Sequence, residues 1–124
     1  MQGDTWLDPV SGSASVARAM VRQAARDMGL DDRSVFEVMV AATEAVANAV
    51  DHGSGQPILL SIRPGRRRLV VEVVNSGPPV CGALSQDGER GRGLPLMAAT
   101  VDSLELHPTH DATRVLLHKR LRAA

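Results

Sequence analysis

Apolar residues recur every three or four positions over residues 13–28 of this 124-residue chain. Because positions i, i+3 and i+4 lie on one helix face, this spacing predicts an amphipathic helix. Ser13 and Ser15 offer a hydroxyl for an N-terminal cap, and Gly29 follows the last apolar repeat as a helix stop. Before this helix, residues 5–7 are expected to add a short edge strand.

A second, longer helix is predicted after Gly29. It starts within residues 31–34, where Ser34 and Glu37 have the spacing of a capping box, and it ends near His52. At about 100° per residue, one side of this helix is apolar and is expected to pack on the sheet. That side carries Val35, Val38, Met39, Ala42, Val46, Ala49 and Val50.

The pattern then changes to that of strands. Residues 58–62 and 69–74 are rich in branched apolar side chains and indicate two strands. The connection at 64–67 contains proline and glycine and predicts a hairpin, whose arginines are expected to be solvated.

The last third of the chain begins with an aperiodic segment, residues 76–92, which is rich in glycine. A segment of this length without a period is typical of a functional lid, and it is called the lid segment below. After it the pattern predicts a short helix at 93–100, a strand at 101–106, a turn through Pro108 and a strand at 113–119.

These elements predict one α+β domain over residues 1–124, a two-layer sandwich with a mostly antiparallel sheet and helices on one face. Fourteen basic and fourteen acidic side chains cancel, and aromatic residues make up only 2% of the chain, so a nucleic-acid-binding surface is not expected. Cys81 is a lone cysteine and predicts neither a disulfide nor a metal cluster. No apolar run long enough for a membrane span occurs, and the N-terminus lacks a signal-peptide pattern, which predicts a cytoplasmic location.

The polar side of the second helix carries the candidate chemistry. With Glu44 as reference, Glu37, Asn48 and Asp51 fall within about 40° of it around the helix. A solvated helix face would give the same pattern. The glycine pair in Gly91-Arg92-Gly93-Leu94, at the predicted start of the short helix, adds a place where backbone N–H groups could approach an anion.

The order of these features resembles the GHKL (Bergerat-fold) ATPases, and within them the bacterial anti-sigma-factor serine/threonine kinases. Residues 42–52 (ATEAVANAVDH) are similar to the family's N box, whose core is E-x-x-x-N-A-x-x-H. The resemblance implies that Glu44 is the general base and that Asn48 carries its side-chain oxygen to Mg²⁺, with Asp51 and His52 at the same cofactor site. His52 is expected to orient or pack, since no second His or Cys stands at metal-ligand spacing.

The resemblance also covers the glycine boxes. Residues 75–79 (NSGPP) match the first box, D-x-G-x-G, through Gly77, but Asn75 replaces the adenine-reading Asp and Pro79 replaces the second Gly. Residues 91–96 (GRGLPL) match the second box, which places Gly91, Arg92, Gly93 and Leu94 at the nucleotide phosphates. Thr113 matches a strand threonine whose hydroxyl lies near the adenine.

The resemblance thus implies ATP and Mg²⁺ as cofactors, and a kinase that phosphorylates an anti-anti-sigma (STAS-type) protein and sequesters a sigma factor. It leaves a homodimer open. The alternative is a non-catalytic partner-binding module in which nucleotide binding is weakened or lost, as Asn75 and Pro79 suggest. A histidine-kinase fragment is disfavoured, because the dimerisation helices are missing. The basic row Arg18, Arg22 and Arg26 could meet an acidic partner or be merely solvated.

Overall fold

The computed structural model describes residues 3–76 and 93–122, with the side chains of residues 93–96 left aside. Their five strands form one sheet in the order β1-β2-β3-β5-β4, and every neighbouring pair is antiparallel. The elements are β1 (Gly3–Leu7), α1 (Ser13–Met28), α2 (Asp32–His52), β2 (Ile58–Gly65), β3 (Arg68–Ser76), α3 (Gly93–Thr100), β4 (Ser103–Pro108) and β5 (Ala112–Arg120). The predicted α+β class is confirmed.

The hydrophobic core lies between the helices and one face of the sheet. Leu60, Val73 and Val115 stand side by side on β2, β3 and β5, and they pack in one cluster with Val21 of α1 and Val38 of α2. Alternate strand residues point to opposite faces of a sheet, so this row places the apolar half of each strand against the helices. These strands were predictable because they are rich in branched apolar residues, although some of these residues, such as Leu59 and Val74, are half-buried on the opposite face.

The opposite face of the sheet carries polar side chains. Glu72 is buried there beside two arginines, with Arg114 Nε donating to its Oε2 at 2.7 Å and Arg63 Nη2 3.3 Å from its Oε1. Two guanidinium groups on one carboxylate offset the loss of its hydration. In the part of the chain that the structure describes, no helix is long and apolar enough to cross a membrane.

The N-terminal caps of both long helices differ from the prediction. Helix α1 begins at Ser13 with Gly12 as its cap residue, and the Ser13 hydroxyl donates to the Asp8 carbonyl at 2.7 Å instead of capping the helix. Helix α2 is capped by Asp31, whose carboxylate accepts from the Ser34 N–H at 2.8 Å. The predicted start within residues 31–34 is therefore confirmed, but Asp31 and not Ser34 is the cap residue, so the predicted Ser34–Glu37 capping box is wrong.

The ends of the strands also differ from the predicted ones. The hairpin loop is tighter than predicted, with only Arg66 and Arg67 between Gly65 and Arg68, and Arg67 has φ 61°. Near the C-terminus, the strand predicted at 101–106 is β4 at Ser103–Pro108. Pro108 lies inside this strand because β4 pairs only with β5 and so forms the edge of the sheet, where a missing N–H is tolerated.

Candidate functional site

Helix α2 places Glu44 and Asn48 one turn apart on the same side, as predicted. Both side chains are half-buried, and among the described residues neither makes a hydrogen bond or an ion pair. They stand about 6 Å apart at their Cβ atoms, as i, i+4 neighbours do. A carboxylate and an amide that are shielded yet unpaired are available to a ligand, whereas a solvated face would leave them fully exposed. Asp51 is exposed and His52 is half-buried at the end of the helix.

The predicted polar row does not extend to Glu37. Its Oε1 accepts from Lys119 Nζ at 2.8 Å, and Lys119 Nζ also donates to the Thr100 carbonyl at 3.0 Å. Lys119 is buried, so this contact joins α2, β5 and the end of α3 in the interior. Ala41 and Ala45 are buried as well, while Met39 and Val50 are only partly buried, because α2 also packs against α1 and α3.

The ends of β3 and β5 bring Asn75 and Thr113 together. The two residues are register partners on the helix-facing side of the sheet, with Asn75 half-buried and Thr113 buried. The sequence match had proposed both for one site, and the structure places them side by side. No hydrogen bond between described residues uses either side chain.

Gly53 closely approaches the last turn of its own helix, next to Asn75. A Cβ on Gly53 would lie 2.5 Å from the Ala49 carbonyl oxygen and 3.6 Å from Asn75 Nδ2. The next residue ties the end of α2 to β3, because the Ser54 hydroxyl donates to the Ser76 carbonyl at 3.0 Å. The helix that carries Glu44 and Asn48 therefore ends beside β3, next to Asn75.

Changing Gly53 to alanine should destabilise the protein by about 1–3 kcal/mol, because the new methyl meets backbone that cannot move cheaply. Gly12→Ala is the matched control. A Cβ at Gly12 meets nothing within 4 Å and φ there is −64°, so stability should change by less than about 0.5 kcal/mol. Urea unfolding of both variants checks this, and equal stability of the two would contradict the close approach.

A groove of about 220 Å³ opens between α1 and α2, and Glu44 forms part of its wall. It is called the α1–α2 groove, and its lining residues are Arg18, Phe36, Met39, Val40, Thr43 and Glu44. Phe36 is 64% exposed, an unusual exposure for a large apolar side chain. The sequence analysis did not find this groove, although four of these residues, at positions 36, 39, 40 and 43, follow the i, i+3, i+4, i+7 pattern of a second apolar stripe.

The sequence of residues 9–119, most of the chain, matches the family model of the histidine kinase-like ATPase domain. The chain belongs to this family. The whole chain also superposes on 34% of a longer chain in the crystal structure of the RsbU and RsbW domains of Rv1364c from Mycobacterium tuberculosis, with a TM-score of 0.79. The two are 23% identical over that region, so the superposition shows a shared fold.

Several residues proposed for this ATPase domain lie outside the described part of the structure. These are Gly77, Gly91 and Arg92, together with most of the lid segment. Helix α3 begins at Gly93, as the sequence predicted, and for Leu94 only the backbone is described. The phosphate-binding role of this turn stays a prediction.

Asn48 is the described residue that the sequence match proposes for Mg²⁺. Within residues 3–76 and 93–122, no group of three or more His, Cys, Asp or Glu side chains could hold a metal ion. Asn48 offers an amide oxygen that no described residue engages, a ligand type that Mg²⁺ accepts when nucleotide phosphates and water complete the shell. The residues thus fit a cation held jointly by the protein and a nucleotide, and do not fit one held by protein alone.

Proposed function

We propose that this ATPase domain is an ATP- and Mg²⁺-dependent serine/threonine protein kinase of the anti-sigma-factor type. It phosphorylates an anti-anti-sigma protein of the STAS type and, in its other state, sequesters a sigma factor. The observation that carries the proposal is the position of Glu44. Its carboxylate has no partner among the described residues, stands one turn from Asn48, and borders the open α1–α2 groove.

The chemistry assigned to these residues is phosphoryl transfer to a hydroxyl. Glu44 takes the proton of the acceptor hydroxyl while the oxygen forms its bond to the transferred phosphorus, and the bond to the leaving phosphate oxygen breaks. Asn48 holds Mg²⁺, which when bound offsets negative charge on the phosphates. Asn75 and Thr113 contact the adenine base of the nucleotide, and the turn at residues 91–94 binds the phosphates through its backbone.

The α1–α2 groove supports a protein as the acceptor. An acceptor side chain that enters it would contact Phe36 and Arg18 as well as Glu44, since all three line the groove. Phe36 and Arg18 are residue types that anchor protein partners, one by apolar burial and one by pairing with carboxylates.

The alternative is a partner-binding module without catalysis, and Asn75 favours it. An amide in place of a carboxylate exchanges a charged hydrogen bond to an adenine amino group for a neutral one, which costs about 1 kcal/mol. Incubating the protein with γ-labelled MgATP and a panel of STAS-type proteins separates the two functions. Label on a serine or threonine of one panel member is expected; binding of a panel member without label transfer would favour the module.

A further inference from the structure

The end of the site formed by β3 and β5 presents two uncharged polar side chains. Asn75 and Thr113 are register partners, and neither is engaged by another described side chain or backbone group. The sheet's buried carboxylate, Glu72, belongs to the opposite face, where it pairs with Arg63 and Arg114. The two side chains that meet at this end are therefore an amide and a hydroxyl.

An amide and a hydroxyl share a property that a carboxylate lacks. Each can donate or accept a hydrogen bond, while an ionised carboxylate only accepts. The substituent at position 6 of a purine is either an amino group, which donates, or an oxo group, which accepts. A carboxylate placed against this position accepts a hydrogen bond from the amino group and repels the oxo group. An amide or a hydroxyl can form a hydrogen bond with either group.

The surroundings of Asn75 leave both amide orientations open. No hydrogen bond from the described residues holds Oδ1 or Nδ2 in place, so no described residue fixes which of the two points toward a ligand. The neighbouring position on α2 is Gly53, and even a Cβ there would stand 3.6 Å from Nδ2, an ordinary contact distance. With no side chain at Gly53, a half-turn of the amide is unobstructed on this side.

We infer that residue 75 makes this site permissive at purine position 6, so that it binds nucleoside triphosphates with a 6-oxo base about as well as ATP. The inference rests on the proposed function, in which the purine base of the nucleotide lies against Asn75. It adds a substrate class to that proposal: GTP-like and ITP-like nucleotides compete with ATP for the same site.

The test compares MgATP with the magnesium complex of inosine triphosphate, which replaces the 6-amino group by oxo and leaves position 2 unsubstituted. Calorimetric titration of the full chain should give dissociation constants within about threefold of each other. In Asn75→Asp the inosine nucleotide should bind at least about tenfold more weakly than ATP, because a charged acceptor then faces the oxo oxygen.

Ser76→Asp is the matched control. It adds the same charge one position along β3, where the side chain points to the opposite face of the sheet. Repulsion between the added charge and the triphosphate should weaken both nucleotides equally in this variant, so the ratio should stay within threefold. Thermal unfolding of each variant establishes that it is folded before the ratios are compared.

The outcomes separate this inference from the function on which it rests. If the unmodified chain binds ATP but binds the inosine nucleotide at least tenfold more weakly, the permissive site is wrong and the proposed kinase stands. If ATP and the inosine nucleotide bind equally well to Asn75→Asp too, residue 75 does not distinguish the substituent at position 6 and the inference is wrong. If neither nucleotide binds the unmodified chain, the proposed function itself is contradicted.

Discussion

Glu44→Gln is expected to lower phosphoryl transfer to the STAS-type acceptor at least about a hundredfold, the scale of a lost general base. The amide keeps the size of the side chain but cannot take the acceptor proton. Since Glu44 makes no ion pair with a described residue, its loss removes no structural contact, and MgATP affinity should stay within threefold. Initial rates of label transfer and a MgATP titration give the two quantities.

Asp32→Asn provides the control for this change. It removes one carboxylate from the same helix, at an exposed position in the first turn, about 18 Å along the axis from Glu44. Its transfer rate should equal that of the unmodified protein. A Glu44→Gln protein that transfers label at the unmodified rate would remove Glu44 from the role of base, whatever its effect on binding.

Lys119→Met is expected to destabilise the fold by about 2–4 kcal/mol at neutral pH. Lys119 is buried, and its removal leaves the Glu37 carboxylate and the Thr100 carbonyl without the ammonium that they share. Arg122→Met removes an exposed partner of Asp102 and should cost less than about 1 kcal/mol. Denaturant unfolding compares the two, and similar losses would show that the Lys119 contact contributes no more than a surface pair.

The same pair predicts a pH dependence. The hydrogen bond and charge of Lys119 hold the pKa of Glu37 below its ordinary value of 4.5. A carboxyl with a lowered pKa in the folded state contributes stability above its ordinary pKa and loses that contribution as the pH falls through the folded value. The stability difference between the unmodified protein and Lys119→Met should therefore narrow from pH 7 to pH 4. A stability difference that is the same at pH 7 and pH 4 would contradict a stabilising interaction between Glu37 and Lys119.

The sequence predicted what depends on local periodicity. The 3.6-residue repeat located both long helices, Gly29 ended the first one, and branched apolar residues around a proline-glycine turn located the hairpin, because each of these signals lies within a few neighbouring residues. Element ends were less predictable. Asp31 and Ser34 both stand at a helix start, and only the packing that buries Ser34 decides which of them caps α2.

Contacts between distant segments could not be predicted. Glu37 looked like one more member of a polar helix face, yet the half-buried carboxylate accepts a hydrogen bond from the buried Lys119, which lies 82 residues away. The α1–α2 groove was missed for a similar reason, since it needs Arg18 from the other helix beside Phe36. The resemblance placed Asn75 and Thr113 each near the adenine, and the strand register makes the two residues neighbours.

The central claim is that this ATPase domain binds MgATP at a site built on Glu44, Asn48 and Asn75. Calorimetric titration with MgATP, alongside the same titration of Asn48→Ala, tests it most directly. The account predicts saturable heat below millimolar nucleotide and an affinity at least about tenfold lower in Asn48→Ala, because the magnesium contact is lost. No heat and no thermal stabilisation of the unmodified protein at millimolar MgATP would contradict the account.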